Sequence, residues 1–201
     1  MPDQTKLTLS EKELSLVKNV DWILTKQLII EKVSGIISAG IPVISEVFSG
    51  KKELDPEVRS STPKIFRGEN YLQLPYVIMD YPRVFNREDI FACRTMFWWG
   101  NFFSINLHLS GKYKSLLKDA MHSANAINRE DIFIGVNENQ WQHHFEADNF
   151  LPWSNFTVQE STALFEKNNY IKLAIKLSLD DWDQLPYLLE EGYKRLAALI
   201  T

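Results

Sequence analysis

The sequence predicts an α+β fold, with a mainly antiparallel sheet of about six strands, helices packed on one face and N-terminal helices before it. Apolar residues recur at helical spacing up to about residue 48 and again near the C-terminus, and between these segments they alternate with polar residues. The Gly100-Asn101 step joins two apolar-rich runs within Ile90–Leu109, as in a β-hairpin. Strands joined by hairpins pair antiparallel, which favours helices on one face.

The N-terminal segment, about residues 10–48, is predicted to be helical. Ser10 and Glu13 form a capping-box pattern. Four apolar residues follow at helical spacing: Leu14, Val17, Leu24 and Leu28. We expect this stripe to pack in the core, with a dimer interface as the alternative. A second helix runs to about Phe48 and should be kinked by Pro42, because proline removes a helix hydrogen bond.

A long loop and a first group of strands follow. Residues 49–70 hold glycines, prolines and serines with few apolar residues, which predicts a mobile loop. Leu74–Asp80 is predicted as a strand that ends in a turn at Asp80–Arg83. The Ile90–Leu109 hairpin comes next, and Tyr113–Ala124 shows helical spacing.

The last third of the chain repeats strands and helices. A second hairpin is predicted from Ile132–Val136 and Gln140–Glu146, and a short helix from Gln159–Lys167. Tyr170–Asp180 alternates cleanly as a half-buried strand. A helix over Asp181–Ile200 closes the chain. We therefore expect one domain, 1–201, whose α+β body covers about residues 71–201.

The composition excludes several classes of partner. The net charge of −4 gives no electrostatic reason to bind nucleic acid or an acidic membrane. The N-terminus lacks a basic leader with an apolar core. The longest charge-free apolar run, Val33–Ser45, falls short of the ~20 residues that a membrane span needs. With Cys93 as the single cysteine, these features predict a soluble, cytoplasmic protein.

The hairpin predicts a binding face. If its turn holds an even number of residues, Thr95, Phe97 and Trp99 share a face with Asn106 and His108. Aromatic walls with a few placed polar groups are typical of small-molecule pockets. The predicted ligand-binding residues are Arg83, Thr95, Phe97, Trp99, Asn106 and His108. On this pairing Arg94 falls on the core face, and a three-residue turn would dissolve the whole arrangement.

The sequence carries no catalytic, cofactor or metal motif, so we predict no catalytic residue, no cofactor and no metal site. The leading interpretation is a non-enzymatic domain that binds a small molecule or a partner protein through the mixed hairpin face. The alternative is a hydrolase-like or metal-dependent enzyme that uses His108, His143 or His144. A third is a structural protein that forms a homodimer through its N-terminal helices.

Two stretches, LPYVIMDYPRVF and IFACRTMFWWGNFFSINLHLSG, resemble conserved hypothetical proteins of Bacteroidota-type bacteria. The resemblance covers about residues 20–200. It implies a bacterial, cytoplasmic protein, and it carries over no activity and no functional residue.

Overall fold

The computed structural model describes residues 7–122 and 129–201. Its centre is a seven-stranded antiparallel sheet with the order β1-β2-β3-β4-β7-β5-β6. The strands are β1 Lys64–Tyr71, β2 Leu74–Phe85, β3 Ile90–Trp98, β4 Phe102–Ser110, β5 Ile132–Gly135, β6 Phe150–Pro152 and β7 Tyr170–Ser178. The predicted α+β class is confirmed, with one strand more than expected.

Seven α-helices accompany the sheet in the described residues. They are α1 Glu11–Val17, α2 Val20–Ala39, α3 Ile41–Ser49, α4 Pro56–Arg59, α5 Lys118–His122, α6 Val158–Lys167 and α7 Leu185–Ala198. The Ser10–Glu13 capping box begins α1 as predicted. Gly40 separates α2 from α3, and Pro42 lies in the first turn of α3, where its missing N–H costs no hydrogen bond. Ala124, the predicted end of the helix from Tyr113, lies outside the described residues.

Helices α2, α3 and α7 cover one face of the sheet, called here the helix face. Its core joins Val33, Ile37 and Ile44 to sheet residues such as Ile105 and to α7. Gly192 of α7 lies against Ile105, since a Cβ at residue 192 would come within 2.4 Å of the Ile105 Cδ1. The side chain missing from α7 lets the helix lie close to β4.

The N-terminal apolar stripe is where the core prediction is wrong. Leu14, Val17, Leu24 and Leu28 are 43%, 71%, 51% and 57% exposed. The first buried residue of α2 is Ile30, because only the second half of α2 packs into the core of the helix face. By length and composition the helical stretch Val20–Ser49 could cross a membrane, and 22% of its most apolar window is buried.

Two segments predicted from turn residues differ in the structure. Residues 49–70 contain α4 and the edge strand β1 rather than a long loop, and Leu54 and Val58 are buried. Pro56 is the first residue of α4, so here proline starts a helix. The predicted turn at Asp80–Arg83 is a register shift inside β2, and the strand continues to Phe85.

The predicted second hairpin is also wrong in its second half. β5 pairs with β6 and with β7, whereas Gln140–Glu146 forms no strand. Residues 136–149, called here the β5–β6 loop, instead lie across the face of the sheet opposite the helices, which we call the loop face. Phe145 of this loop packs against Met96, Trp98 and Phe102 of that face.

Candidate functional site

The register of the β3–β4 hairpin decides which side chains share a face. Trp98 pairs with Phe102, so the turn has three residues, Trp99-Gly100-Asn101, and Gly100 adopts a positive φ of 72°. An odd turn shifts one strand by one position relative to an even turn, and side chains alternate between faces. The predicted pairing of faces is therefore wrong.

The six predicted ligand-binding residues do not lie together. Thr95 and Phe97 are buried on the helix face, where the Thr95 hydroxyl lies 2.7 Å from the Tyr193 hydroxyl. Trp99 packs edge-on against Trp22 of α2, and Arg83 binds the backbone oxygen of Thr62. Asn106 and His108 lie on the loop face, because they pair with Arg94 and Ala92.

The loop face differs from the predicted binding face in its members, and it too combines apolar and polar side chains. Its end near the hairpin turn is apolar, with Met96, Trp98 and Phe102. Its other end holds six polar side chains that we call the polar cluster. They are Asp80, Arg94, Asn106, His108, His143 and Lys172. All except Arg94 are under 9% exposed, so they require partners within the protein.

Arg94 links a strand pair to the β5–β6 loop. It pairs across the sheet with Asp80, and its Nε and Nη2 donate to the two carboxylate oxygens at 2.7 and 2.8 Å. Its Nη1 lies 2.9 Å from the His143 Nε2. A guanidinium only donates, so this imidazole accepts through Nε2 and carries its proton on Nδ1. Burial and then the Arg94 charge hold the pKa of His143 well below its ordinary value.

His108 and Lys172 form the other half of the polar cluster. They are paired across β4 and β7. The His108 Nε2 lies 2.9 Å from the Gln140 Oε1, while the Lys172 ammonium donates to the backbone oxygens of Gln140, at 2.9 Å, and Gln142. Burial and then the Lys172 charge lower the pKa of His108 to about 3. Burial and then Arg94 lower the pKa of Lys172 to about 7.

Two buried polar atoms of the cluster have no hydrogen-bond partner among the described residues. One is the Asn106 Oδ1, whose amide nitrogen donates to the Ser104 hydroxyl at 3.0 Å. The other is the His143 Nδ1. Unsatisfied buried polar atoms cost about 1–3 kcal/mol each, so the loop face holds unused capacity for polar contacts.

A cavity of about 380 Å³ lies beside the polar cluster, at the ends of β4 and β7. We call it the β4–β7 cavity. Arg87, Glu88, Ser110, Gly111, Gln140 and Tyr170 are among the residues that line it. Ser110 and Tyr170 are paired across the two strands, on the same face as His108 and Lys172. Gln140 lines the cavity and is also hydrogen bonded to His108 and Lys172, so it connects the cavity wall to the polar cluster.

The histidines offer little support for the enzyme alternative. His108 and His143 bind Gln140 and Arg94, whereas the His144 Nδ1 lies 3.9 Å from a carboxylate oxygen of Asp148. Residues 7–122 and 129–201 contain no group of three or more His, Cys, Asp or Glu side chains that could hold a metal ion. Use of these histidines in catalysis stays a prediction.

Sequence reasoning missed Lys172, Gln140 and Arg94 as members of the site. Lys172 looked like the solvent-facing residue of an alternating strand, and its burial depends on a loop that is distant in sequence. The spacing of apolar residues in β7 therefore gave no indication that Lys172 is buried.

The chain matches no protein-family model, no curated protein and no solved structure.

Proposed function

We propose that the protein is a non-enzymatic binding protein that holds a small organic anion in the β4–β7 cavity. The cavity itself carries this proposal. Its volume of about 380 Å³ suits a small metabolite, since ligand sites commonly measure ~300–1,000 Å³. Ser110, Gln140 and Tyr170 line the cavity with groups that can make orienting hydrogen bonds, and Ile90 adds an apolar residue to the lining.

The charges around the cavity support an anionic ligand. The polar cluster contains two basic side chains, Arg94 and Lys172, and a single carboxylate, Asp80, which is bonded to Arg94. Arg87 adds a guanidinium at the cavity wall, where Glu88 opposes it. A carboxylate or phosphate on the Gln140 side would compensate the positive charge of Lys172 at short range.

Binding should therefore be tested by calorimetry with matched pairs of anion and neutral analogue. We suggest benzoate against benzamide, succinate against succinamide, and inorganic phosphate. Where the protein binds the anion of a pair, that anion should bind at least about 10-fold more tightly than the matching amide. This ratio corresponds to a difference of about 1.4 kcal/mol in binding free energy. Since a nearby anion raises the pKa of Lys172 above about 7, binding at pH 8 should also take up protons, seen as a heat that depends on the buffer.

A pair of variants locates the site. Gln140→Ala removes the side chain that connects the cavity wall to His108, and we expect at least about 10-fold weaker binding. Gln159→Ala removes an exposed glutamine on α6 and should bind as the natural chain does. Equal affinity for anions and amides, or unchanged binding by Gln140→Ala, would contradict the proposal.

A further inference from the structure

We infer that α1 and the first half of α2 form an interaction surface that pairs with the same surface of a second copy of this chain. This inference is independent of the cavity. It starts from ten of the sixteen exposed large apolar side chains in the described residues, which lie between Leu7 and Leu28. At about half exposure each, they present on the order of 1,000 Å² of apolar surface, against ~800 Å² per partner in a standard interface.

The stability of α1 is not accounted for by packing against the other described residues. It has seven residues and none of them is buried. Isolated helices shorter than ~12–15 residues are marginal in water, even in favourable sequences. The capping box and Asn19, which caps α2, define its ends but do not provide an apolar surface to pack against. A helix this short gains its stability from tertiary packing, so α1 needs a partner.

The surface is held in a fixed position against the sheet. Lys26 of α2 forms an ion pair with Glu69 of β1, and Trp22 packs edge-on against Trp99 with ring centroids 6.4 Å apart. Within α2, Val20, Leu24 and Leu28 follow one another at intervals of four residues, so these exposed side chains form one apolar seam along the helix. An ordered seam presented by each copy matches the isologous contact of a two-fold dimer.

The charges favour a second copy over a lipid surface. Residues 11–32 carry four acidic and four basic side chains: Glu11, Glu13, Asp21 and Glu31, with Lys12, Lys18, Lys26 and Lys32. Helices that lie on membranes are rich in lysine and arginine on the polar face, and anionic lipids repel a chain of net charge −4. Interspersed charges of both signs are self-complementary.

Sedimentation equilibrium across about 1 to about 100 µM tests the inference on the full chain. The natural chain should be a dimer over this range. Leu24→Glu combined with Leu28→Glu should raise the dimer dissociation constant at least about 100-fold, because dimerisation would bury unpaired carboxylates. Both residues are exposed in the single chain, so far-UV circular dichroism should show little loss of the core fold.

Tyr187→Glu is the matched control, since Tyr187 is 64% exposed on α7, outside α1 and the first half of α2. It should leave the dimer intact. A natural chain that is monomeric throughout, or a dimer that survives the double substitution, would overturn the inference. Cosedimentation of a monomeric chain with phosphatidylcholine vesicles, abolished by the double substitution, would also overturn it by assigning the surface to lipid.

Discussion

Arg94 connects the sheet to the β5–β6 loop through three polar contacts, two to Asp80 and one to His143. In this bidentate pair the Arg94 side chain is 13% exposed and the Asp80 side chain is 5% exposed. Removing one member of a buried ion pair typically costs about 3–5 kcal/mol, because the other charge is left uncompensated. This single side chain therefore helps to hold the loop that covers the loop face and borders the β4–β7 cavity.

Because His108 is buried in its neutral form, the free energy of unfolding should fall as the pH is lowered. Its pKa is about 3 in the folded chain and about 6.5 when the imidazole is exposed on unfolding, so the unfolded state binds one more proton between these values. The stabilisation is complete above pH 6.5 and is lost as the pH falls toward 3. His108→Gln should reduce the slope of unfolding free energy against pH, between pH 4 and 6, by about 1.4 kcal/mol per unit.

Urea unfolding at several pH values measures this slope. His122→Gln is the control, because it removes an imidazole that is more exposed than that of His108, at the end of α5. If His108→Gln shows the slope of the natural chain, His108 is not held neutral by its burial.

At the scale of elements, the turn after β3 has the largest consequence. Three residues connect β3 to β4, so Trp98 and Phe102 face each other and even-numbered residues of both strands share the loop face. With two or four residues, Arg94 and His108 would lie on opposite faces. One residue in a turn thus decides whether the polar cluster forms.

The junction after β4 depends on glycine in a similar way. Gly111 has a φ of 56°, and a Cβ there would come within 2.7 Å of the Glu88 backbone oxygen and 2.0 Å of the Asp89 carboxylate. Gly111→Ala should therefore lower the free energy of unfolding by about 2 kcal/mol, from backbone strain and the contact with backbone. Chemical denaturation measures it.

Gly35→Ala provides the opposite case within α2. No atom lies within 4 Å of a Cβ at residue 35, and alanine favours helix over glycine. This substitution should raise the free energy of unfolding by about 0.5–1 kcal/mol. If Gly111→Ala and Gly35→Ala change the free energy of unfolding in the same direction, the local geometry assigned to one of the two glycines is wrong.

On the scale of the whole molecule, two different layers cover the sheet. Helices bury an apolar face, whereas an irregular loop buries a face that contains charges. Lysine is rarely fully buried, yet Lys172 is 1% exposed because the loop backbone supplies oxygens for its ammonium. The cost of that burial appears in its pKa of about 7.

This arrangement predicts a stability maximum at alkaline pH. Between about 7 and 10.5 the unfolded chain holds the Lys172 proton more tightly than the folded chain, so unfolding free energy rises with pH, by at most about 1.4 kcal/mol per unit. Above about 9 the rise is opposed, because burial raises the pKa of the Cys93 thiol and the unfolded chain loses that proton first. Above about 10 the trend reverses, because burial also raises the pKa of Tyr71, Tyr170 and Tyr193.

Guanidinium unfolding of the natural chain and two variants at pH 7, 8, 9 and 10 checks the prediction. Lys172→Met should flatten the rise. Lys176→Met, an exposed position on the same strand, is the matched control for losing a lysine from β7. A natural chain with equal stability at pH 7 and 9 would contradict the account of Lys172.

The sequence by itself determined the class of the fold and many of its elements. Alternation identified β7 and the β3–β4 hairpin, and helical spacing identified α2, α3 and α7, because periodicity follows directly from which side of an element is buried. These properties depend on residues that are near each other along the chain.

Only the tertiary structure decided which residues make up the site and which stripe stays exposed. The difference between an odd and an even turn is one residue, yet it places Thr95 and Asn106 on opposite faces of the sheet. Lys172 and Gln140 meet across 32 residues, and the stripe from Leu14 to Leu28 lacks cover because α2 enters the core only from Ile30 onward. Such contacts depend on register and packing between distant segments, which local periodicity does not encode.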